Sequence, residues 1–225
     1  INLNTKYSIY FMYSYRNIIE NNIIIKSKGG VIASHCNNMR INHNDINSAE
    51  YGVYLLNTNM SEVNDNRISQ GSYGIYTSSA DNNKITNNSV MGGQFTGITF
   101  TFSSDDNFVN NNTISANNQN GIYLTTSNNN MLFNNTIYSN HWMGVLIYNS
   151  KSNILRYNNI SHNNIGIDIR DSSKNLIYHN NLIENIQQVS DRKNNDWNRG
   201  YPVGGNYWSN YNGSDFMRGP EQDQE

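Results

Sequence analysis

The chain has 225 residues, a net charge of −2 and only 14% charged residues. Its charge provides no basic surface for nucleic acid or anionic lipid, and no apolar run reaches the roughly 18 residues of a membrane span. With 47 Asn and only four Ala, the composition disfavours helices. The single cysteine, Cys36, excludes an internal disulfide.

A repeat of 22 to 24 residues runs along most of the chain. Each copy contains Asn-x-(Ile, Val or Leu), and successive copies are 23, 22, 22, 24, 23, 23 and 22 residues apart. An apolar residue lies five positions before each of these, beginning with Ile18, and a Gly-(Ile or Val) motif recurs from Gly30 to Gly166. The apolar residues of the first motif are Ile23, Ile46, Ile68, Val90, Ile114, Ile137, Ile160 and Leu182.

Between these motifs apolar residues alternate with other residues, as in Ile122-Tyr123-Leu124, which is the period of a strand. A repeat of this length with about three short strands predicts one coil of a parallel β-helix, and coils stack about 4.8 Å apart. Leucine-rich repeats have a similar length but need a Leu-x-x-Leu-x-Leu core, which is missing. We therefore predict an all-β, single-stranded, right-handed parallel β-helix of about eight coils.

The Asn of the first motif is predicted to form an internal ladder. Stacked coils place one repeat position in a column, where amide side chains hydrogen-bond along the axis. Asn also tolerates the left-handed backbone of turns, and the repeated Gly supplies positive φ or room for a bend. Asn117 lies outside this column and is expected at the surface. The predicted ladder contains Asn21, Asn44, Asn66, Asn88, Asn112, Asn135, Asn158 and Asn180.

The repeat pattern fades after residue 186, and the segment 187–225 is rich in aromatic residues and Gly. Large aromatic side chains at the end of a solenoid are typical of a cap over the open core. We therefore expect one domain, with coils over 1–186 and a cap over 187–225. The coils begin in mid-repeat at Ile1, as in a fragment of a longer protein. The predicted cap residues are Trp197, Tyr201, Tyr207, Trp208 and Tyr211.

The repeats and the tail together resemble NosD-type right-handed parallel β-helix proteins of the carbohydrate-binding and sugar-hydrolysis (CASH) superfamily. The specific part of the resemblance is Gly200-Tyr201-Pro202 followed by Gly-Gly-Asn-Tyr-Trp-Ser at 204–209. The resemblance implies an extracellular or cell-surface protein, as in secreted archaeal proteins, or a periplasmic one in a true NosD homologue. It also implies a connection with copper. Asn198 and Asn210 replace the usual Asp, which weakens the case for an ion site in the tail.

One outward repeat position contains four tyrosines that could bind carbohydrate, because a Tyr ring offers an apolar face and a polar tip to a sugar. The alternative is structural, since Tyr is a good strand former and stacks on itself. The candidate binding residues are Tyr10, Tyr54, Tyr76 and Tyr123. The intervening members of the column are Ile32 and Thr99, and Leu146 and Asp168 follow.

A second repeat position contains Glu20, His43 and Asp65 in successive coils, a set that could bind copper or zinc. Charge pairing within the column is the alternative. Carboxylate groups could also bind calcium. No firm cofactor is predicted.

The acidic residues do not predict a catalytic site. Asp81 and Asp105 share a column, but Asp168 and Arg170 lie about three coils, or roughly 14 Å, away. The leading hypothesis is therefore a non-catalytic extracellular module with a surface-structural or carbohydrate-binding role. A NosD-like metal-handling accessory and a polysaccharide lyase, epimerase or hydrolase are the alternatives. The expected partners are a glycan, further copies of the chain, or neighbouring domains of a surface protein.

Overall fold

A computed structural model describes residues 7–25, 27–47, 50–200 and 202–211. These ranges contain short strands joined by turns, and no helix. The strands in chain order are β1 (Tyr7–Met12), β2 (Ile18–Glu20), β3 (Ile23–Ile25), β4 (Gly29–Ser34), β5 (Arg40–Asn42), β6 (Asp45–Asn47), β7 (Tyr51–Leu56), β8 (Glu62–Asn64), β9 (Arg67–Ser69), β10 (Tyr73–Ser78), β11 (Lys84–Thr86), β12 (Ser89–Met91), β13 (Ile98–Thr101), β14 (Phe108–Asn110), β15 (Thr113–Ser115), β16 (Ile122–Thr125), β17 (Met131–Phe133), β18 (Thr136–Tyr138), β19 (Met143–Tyr148), β20 (Ile154–Arg156), β21 (Asn159–Ser161), β22 (Ile165–Arg170), β23 (Leu176–Tyr178), β24 (Asn181–Ile183), β25 (Gln187–Asp191) and β26 (Tyr207–Trp208).

Corresponding strands of successive coils pair in parallel and form three sheets. Sheet 1 has the order β1-β4-β7-β10-β13-β16-β19-β22-β25, and sheet 2 has the order β2-β5-β8-β11-β14-β17-β20-β23. Sheet 3 has the order β3-β6-β9-β12-β15-β18-β21-β24-β26. Eight complete three-strand coils are thus followed by β25 and β26, which add a partial ninth. The predicted right-handed parallel β-helix is confirmed.

One apolar core fills the interior of the coil stack. Successive strand residues point to opposite faces, so alternate residues of all three sheets meet inside. In one coil these residues are Val109, Ile114 and Ile122, each 0% exposed. A slip of one residue would turn a whole column outward, and burying each such side chain contributes about 1.5–3 kcal/mol. The repeated Ile positions therefore determine the register.

In the first coil the inward residues lie one position later than predicted. Ile19 and Ile24 are buried, whereas Ile18 and Ile23 are 56% and 66% exposed. Adjacent isoleucines do not reveal which of them points inward, because the runs Ile18-Ile19 and Ile23-Ile24 show no alternation. The prediction of Ile18 and Ile23 as inward residues was wrong.

The Asn ladder is confirmed at the corner between sheets 2 and 3. In every rung the Nδ2 of one Asn donates to the Oδ1 of the Asn in the next coil at 2.8–3.0 Å. The same Oδ1 accepts the backbone N–H of the first Asn. The first member is Asn22, not Asn21. The ladder contains Asn22, Asn44, Asn66, Asn88, Asn112, Asn135, Asn158, Asn180 and Asn206.

The residue before each ladder Asn, rather than the Asn itself, has the left-handed backbone of the turn. Asn21, His43 and Asp65 have φ values of 56°, 53° and 52°. One position therefore forms the turn, and the next position forms the ladder. Only the turn position accepts varied side chains.

Amide ladders that the sequence analysis missed line the other two corners. Asn117 is 1% exposed, and its Nδ2 donates to Asn140 Oδ1 at 2.8 Å. The expectation that Asn117 lies at the surface was therefore wrong. One additional ladder contains Asn83, Asn107, Asn130, Asn153, Asn175 and Asn195, and the other contains Asn117, Asn140, Asn163 and Asn185.

The repeated Gly is required for space rather than for positive φ. A Cβ on Gly97 would lie 2.5 Å from Ile114 Cγ2 and 2.8 Å from the carbonyl oxygen of Gly121. No such side chain fits where one coil passes this close to the next. None of the repeated glycines from Gly30 to Gly166 has a positive φ.

Two tryptophans of the tail close the end of the described solenoid. Trp197 and Trp208 pack against the core, and their ring centroids are 5.8 Å apart. Tyr207 and Tyr211, also predicted as cap residues, are 59% and 64% exposed and do not cover it. Tyr201 lies outside the described residues. The segment that was predicted to be only a cap thus begins by continuing the coils through β25.

Candidate functional site

The tyrosine column lies on the outer face of sheet 1. The side chain of Tyr10 is 45% exposed, whereas Ile32 and Thr99 are only 4% and 2% exposed. Protruding tyrosine side chains and buried side chains are therefore interspersed along the axis. The parallel register joins Tyr10, Ile32, Tyr54, Tyr76, Thr99, Tyr123, Leu146 and Asp168 in this order.

A tyrosine ridge, formed by Tyr51, Tyr54, Tyr73 and Tyr76, occupies the middle of this face. The rings of Tyr51 and Tyr73 stack with centroids 5.5 Å apart, and Tyr54 meets Tyr76 edge to face at 5.2 Å. Tyr54 and Tyr76 thus pack on each other and do not form one flat platform. Tyr51 and Tyr73 were not selected by the sequence analysis.

The missed tyrosines have a recognisable signal in Tyr-x-x-Tyr, which occurs in both β7 and β10. Strict alternation would send residues three apart to opposite faces of a strand. In β7 the pairing includes Tyr51 and Val53 but passes over Gly52. The irregularity at this glycine brings the rings of Tyr51 and Tyr54 together, with centroids 4.9 Å apart.

Burial raises the pKa of three tyrosines of the ridge. It raises the pKa of Tyr51 from 10.0 to about 12, and the neighbouring Glu50 carboxylate adds to this effect. Burial is also the main cause of the raised pKa of Tyr54 and of Tyr73. Tyr51, Tyr54 and Tyr73 therefore carry neutral hydroxyl groups at ordinary pH.

A hollow of about 350 Å³ lies on one side of the ridge, which we call the Ile32 hollow. Tyr10 and Tyr54 form its walls, and Ile32 lies between them in the register. Lys28 and Glu50 line it and pair at 3.9 Å. Ile32 and Leu56 are the aliphatic residues of its lining.

The Thr99 hollow, of about 360 Å³, lies on the other side of the ridge. Tyr76 and Tyr123 are the column positions on either side of Thr99, and Trp142 and Arg170 also line the space. Two coil steps separate Tyr76 from Tyr123, about 9.6 Å at the usual strand spacing. A flat ring between two walls needs about 8 Å, or two van der Waals contacts of about 4 Å. The backbone positions of the two tyrosines are thus far enough apart to admit one sugar ring.

Buried polar atoms line the Thr99 hollow. Thr99 is 2% exposed and Asn120 is 4% exposed. Neither Thr99 Oγ1 nor Asn120 Oδ1 has a hydrogen-bond partner within the described part of the chain. Buried polar groups are nearly always paired, so two such atoms beside one hollow need a partner from outside the chain, either an ordered water or a ligand.

An Asp168–Arg170 pair lies at the far end of this face. Asp168 is 1% exposed, and its Oδ2 accepts hydrogen bonds from Arg170 Nε, at 2.8 Å, and Nη2. This hydrogen bonding to Asp168 is the main reason why the pKa of Arg170 is raised. The other oxygen, Asp168 Oδ1, is buried without a partner among the described residues.

The predicted metal set does not assemble. His43 Nε2 lies 3.7 Å from Asp65 Oδ2, but Glu20 pairs with Asn42 and stands outside their column. Within residues 7–25, 27–47, 50–200 and 202–211 no group of three or more His, Cys, Asp or Glu is placed to hold a metal ion. Of the predicted set, the described structure thus places only His43 and Asp65 side by side.

The acidic residues of the Asp81 column have a structural task. Asp81 Oδ1 accepts the backbone N–H of Asp105 at 2.8 Å, and Asp105 Oδ1 accepts that of Asn128 at 2.6 Å. These carboxylates join turns of successive coils. They do not converge on a reaction site with Asp168.

The architecture is that of a parallel β-helix repeat protein with an aromatic groove on one face. Residues 1–95 and 89–213 match the family described as periplasmic copper-binding protein (NosD). The chain belongs to this family. No curated protein shows significant sequence similarity to it. Across the described ranges, no helix has the length and apolarity needed to span a membrane.

Solved structures of similar fold include carbohydrate-related proteins. A variant of the periplasmic alginate epimerase AlgG has 22% identity and a TM-score of 0.58 over 72% of this chain and 47% of its own. The Azotobacter vinelandii mannuronan C-5 epimerase AlgE6 A-module has 13% identity and a TM-score of 0.65, with 89% and 58% covered. A tailspike protein of E. coli bacteriophage HK620, in complex with pentasaccharide, has 11% identity and a TM-score of 0.60, with 79% and 39% covered. The chain thus spans about half the length of these proteins or less, and the likeness shows the fold alone.

Proposed function

We propose that the chain is a non-catalytic extracellular module that binds glycan on the outer face of sheet 1. The observation that carries this proposal is the Thr99 hollow, in which two tyrosine walls flank buried polar atoms. Aromatic side chains supply apolar faces for sugar rings, and polar atoms between them fix orientation. A hollow between separated tyrosines serves this purpose better than the packed ridge.

The comparisons support a carbohydrate-related function outside the cytoplasm. The family is described as periplasmic, which supports a periplasmic or cell-surface location. Two of the similar structures are named as alginate and mannuronan epimerases, and a third is in complex with pentasaccharide. Their sequence identities are low, so the ligand of this chain has to be inferred from its own hollows on sheet 1.

A glycan array followed by calorimetry on the best binder tests the proposal. Changing Tyr76 and Tyr123 together to Ser is expected to weaken binding about tenfold to a hundredfold, from about 0.5–1.5 kcal/mol per ring. Tyr138→Ser on sheet 3 is the control, because Tyr138 is an exposed tyrosine on another face. If the double variant and the control bind glycan with equal affinity, the Thr99 hollow is not the binding site. Absence of binding to any glycan, with assembly of the rods into larger structures, would favour a structural role.

A polysaccharide-acting enzyme is the second candidate, favoured by one observation. Asp168 is a buried carboxylate with an unpartnered oxygen beside Arg170, and such groups act as acids or bases in catalytic clefts. An activity screen on uronate and neutral polymers tests this. If the chain turns over a polymer, and Asp168→Asn abolishes this turnover but retains binding, an enzymatic function would replace the non-catalytic proposal.

A further inference from the structure

The polar atoms of the Thr99 hollow differ in kind from those of an anion site. Asn120 Oδ1 is only an acceptor, whereas the Thr99 hydroxyl both donates and accepts. Both are buried, and neither has a partner among the described residues. A complementary ligand therefore brings an O–H or N–H donor to Asn120 Oδ1 and a group that donates or accepts to Thr99 Oγ1, and a hydroxyl group meets both needs.

Arg170, the one cation among the described residues that line the hollow, is already engaged. Arg170 donates from Nε and Nη2 to Asp168 Oδ2, so the pair is close to neutral. The other oxygen of Asp168, Oδ1, is an acceptor without a partner among the described residues. A ligand carboxylate at this end would find Arg170 already paired with Asp168, whereas a ligand hydroxyl would donate to Asp168 Oδ1.

From this acceptor-rich floor we infer that the Thr99 hollow is a subsite for one uncharged, hydroxyl-rich pyranose unit of a neutral oligosaccharide. The ring lies between Tyr76 and Tyr123, and its hydroxyl groups donate to Asn120 Oδ1 and to Thr99 Oγ1. The chain then continues along sheet 1 towards Asp168. This inference rests on the proposed function and narrows its ligand class to neutral sugars rather than uronates.

The Ile32 hollow supplies an internal comparison. It has similar size and two tyrosine walls, but its floor is Ile32, and its charged rim pair is Lys28 with Glu50. No polar atom that lines it is buried without a partner among the described residues. Of the two hollows, the Thr99 hollow is therefore the one whose polar atoms would orient a sugar by hydrogen bonds.

The test is calorimetric titration of the whole chain with neutral gluco-, manno- and galacto-oligosaccharides and with uronate oligosaccharides, at low and high salt. We expect a neutral oligosaccharide to bind with an affinity that salt leaves unchanged, because no charges attract it. Thr99→Val keeps the shape but removes the hydroxyl, and is expected to weaken binding about threefold to tenfold through one lost hydrogen bond. Thr99→Ser, which keeps the hydroxyl, is expected to retain most of the affinity. Circular dichroism confirms that both variants fold.

The outcomes separate this inference from the proposed function. Salt-sensitive binding of uronates that still needs Tyr76 and Tyr123 overturns the neutral subsite and leaves glycan binding intact. Neutral binding that Thr99→Val leaves unchanged also overturns the subsite. Absence of binding to all oligosaccharides overturns both.

Discussion

Replacement of Asn112 by Ala removes two rungs of the ladder between sheets 2 and 3. Asn112 Oδ1 accepts from the backbone N–H of Asn88 at 2.9 Å and from its Nδ2 at 3.0 Å. Asn112 Nδ2 donates to Ile85 O at 2.8 Å, to Asn110 O at 3.1 Å and to Asn135 Oδ1 at 3.0 Å. Five hydrogen bonds are therefore lost in one substitution.

The magnitude follows from which groups are left without a partner. The buried backbone N–H of Asn88 loses its acceptor, which costs about 1–3 kcal/mol. The Nδ2 of Asn88 keeps Val63 O at 2.8 Å, and Asn135 Oδ1 keeps the backbone N–H of Asn112 at 3.0 Å. The remaining losses are therefore partly compensated, and the free energy of unfolding is expected to fall by about 2–4 kcal/mol in total.

Urea denaturation followed by circular dichroism measures this change, with Asn118→Ala as the matched control. Asn118 is exposed, and its backbone N–H, which the substitution retains, bonds to Gly93 O. The control is expected to change stability by less than about 0.5 kcal/mol, as surface substitutions usually do. Equal denaturation midpoints for the two variants would refute a buried, hydrogen-bonded ladder.

Asn117→Ala is expected to lower stability more than Asn118→Ala, although the two residues are neighbours. Equal urea midpoints would contradict the buried ladder that begins at Asn117. Gly97→Ala is expected to destabilise or prevent folding, because its Cβ would lie 2.5 Å from a buried side-chain carbon, and a wild-type thermal midpoint would contradict this. The pKa of Tyr51 rises from 10.0 in the unfolded chain to about 12 in the fold, so its contribution is present below pH 10 and is lost as pH rises towards 12. Tyr51→Phe is expected to flatten the fall in stability over that range, and an unchanged slope would be inconsistent with burial. Calorimetric titration with copper is expected to show no tight stoichiometric site, because His43 has one acidic partner in its column; saturable one-to-one binding that His43→Ala removes would overturn this.

The ladder at Asn112 could be predicted from sequence because its period is regular and its neighbours alternate. The first coil could not be assigned correctly, because Ile23-Ile24-Ile25 offers three equally apolar candidates. The ladder that begins at Asn117 contains too few repeated Asn residues to be distinguished from surface Asn in the sequence. In these cases the pattern was short or degenerate.

The candidate site was harder to predict than the fold. The column of Tyr54 and Tyr76 follows from the repeat, but the ring of Tyr51 reaches it only because pairing is irregular at Gly52. The proposed role of Thr99 depends on a buried position between protruding tyrosine rings, which no periodicity describes. Whether a polar atom such as Asn120 Oδ1 lacks a partner is a property of three-dimensional packing.

A crystal structure of the chain with the oligosaccharide that binds it most tightly tests the central claim most directly. The account predicts one sugar ring over Thr99, between the rings of Tyr76 and Tyr123, with a hydroxyl group in hydrogen-bond contact with Asn120 Oδ1. A sugar bound on sheet 2 or sheet 3, with the Thr99 hollow free of ligand, would contradict it.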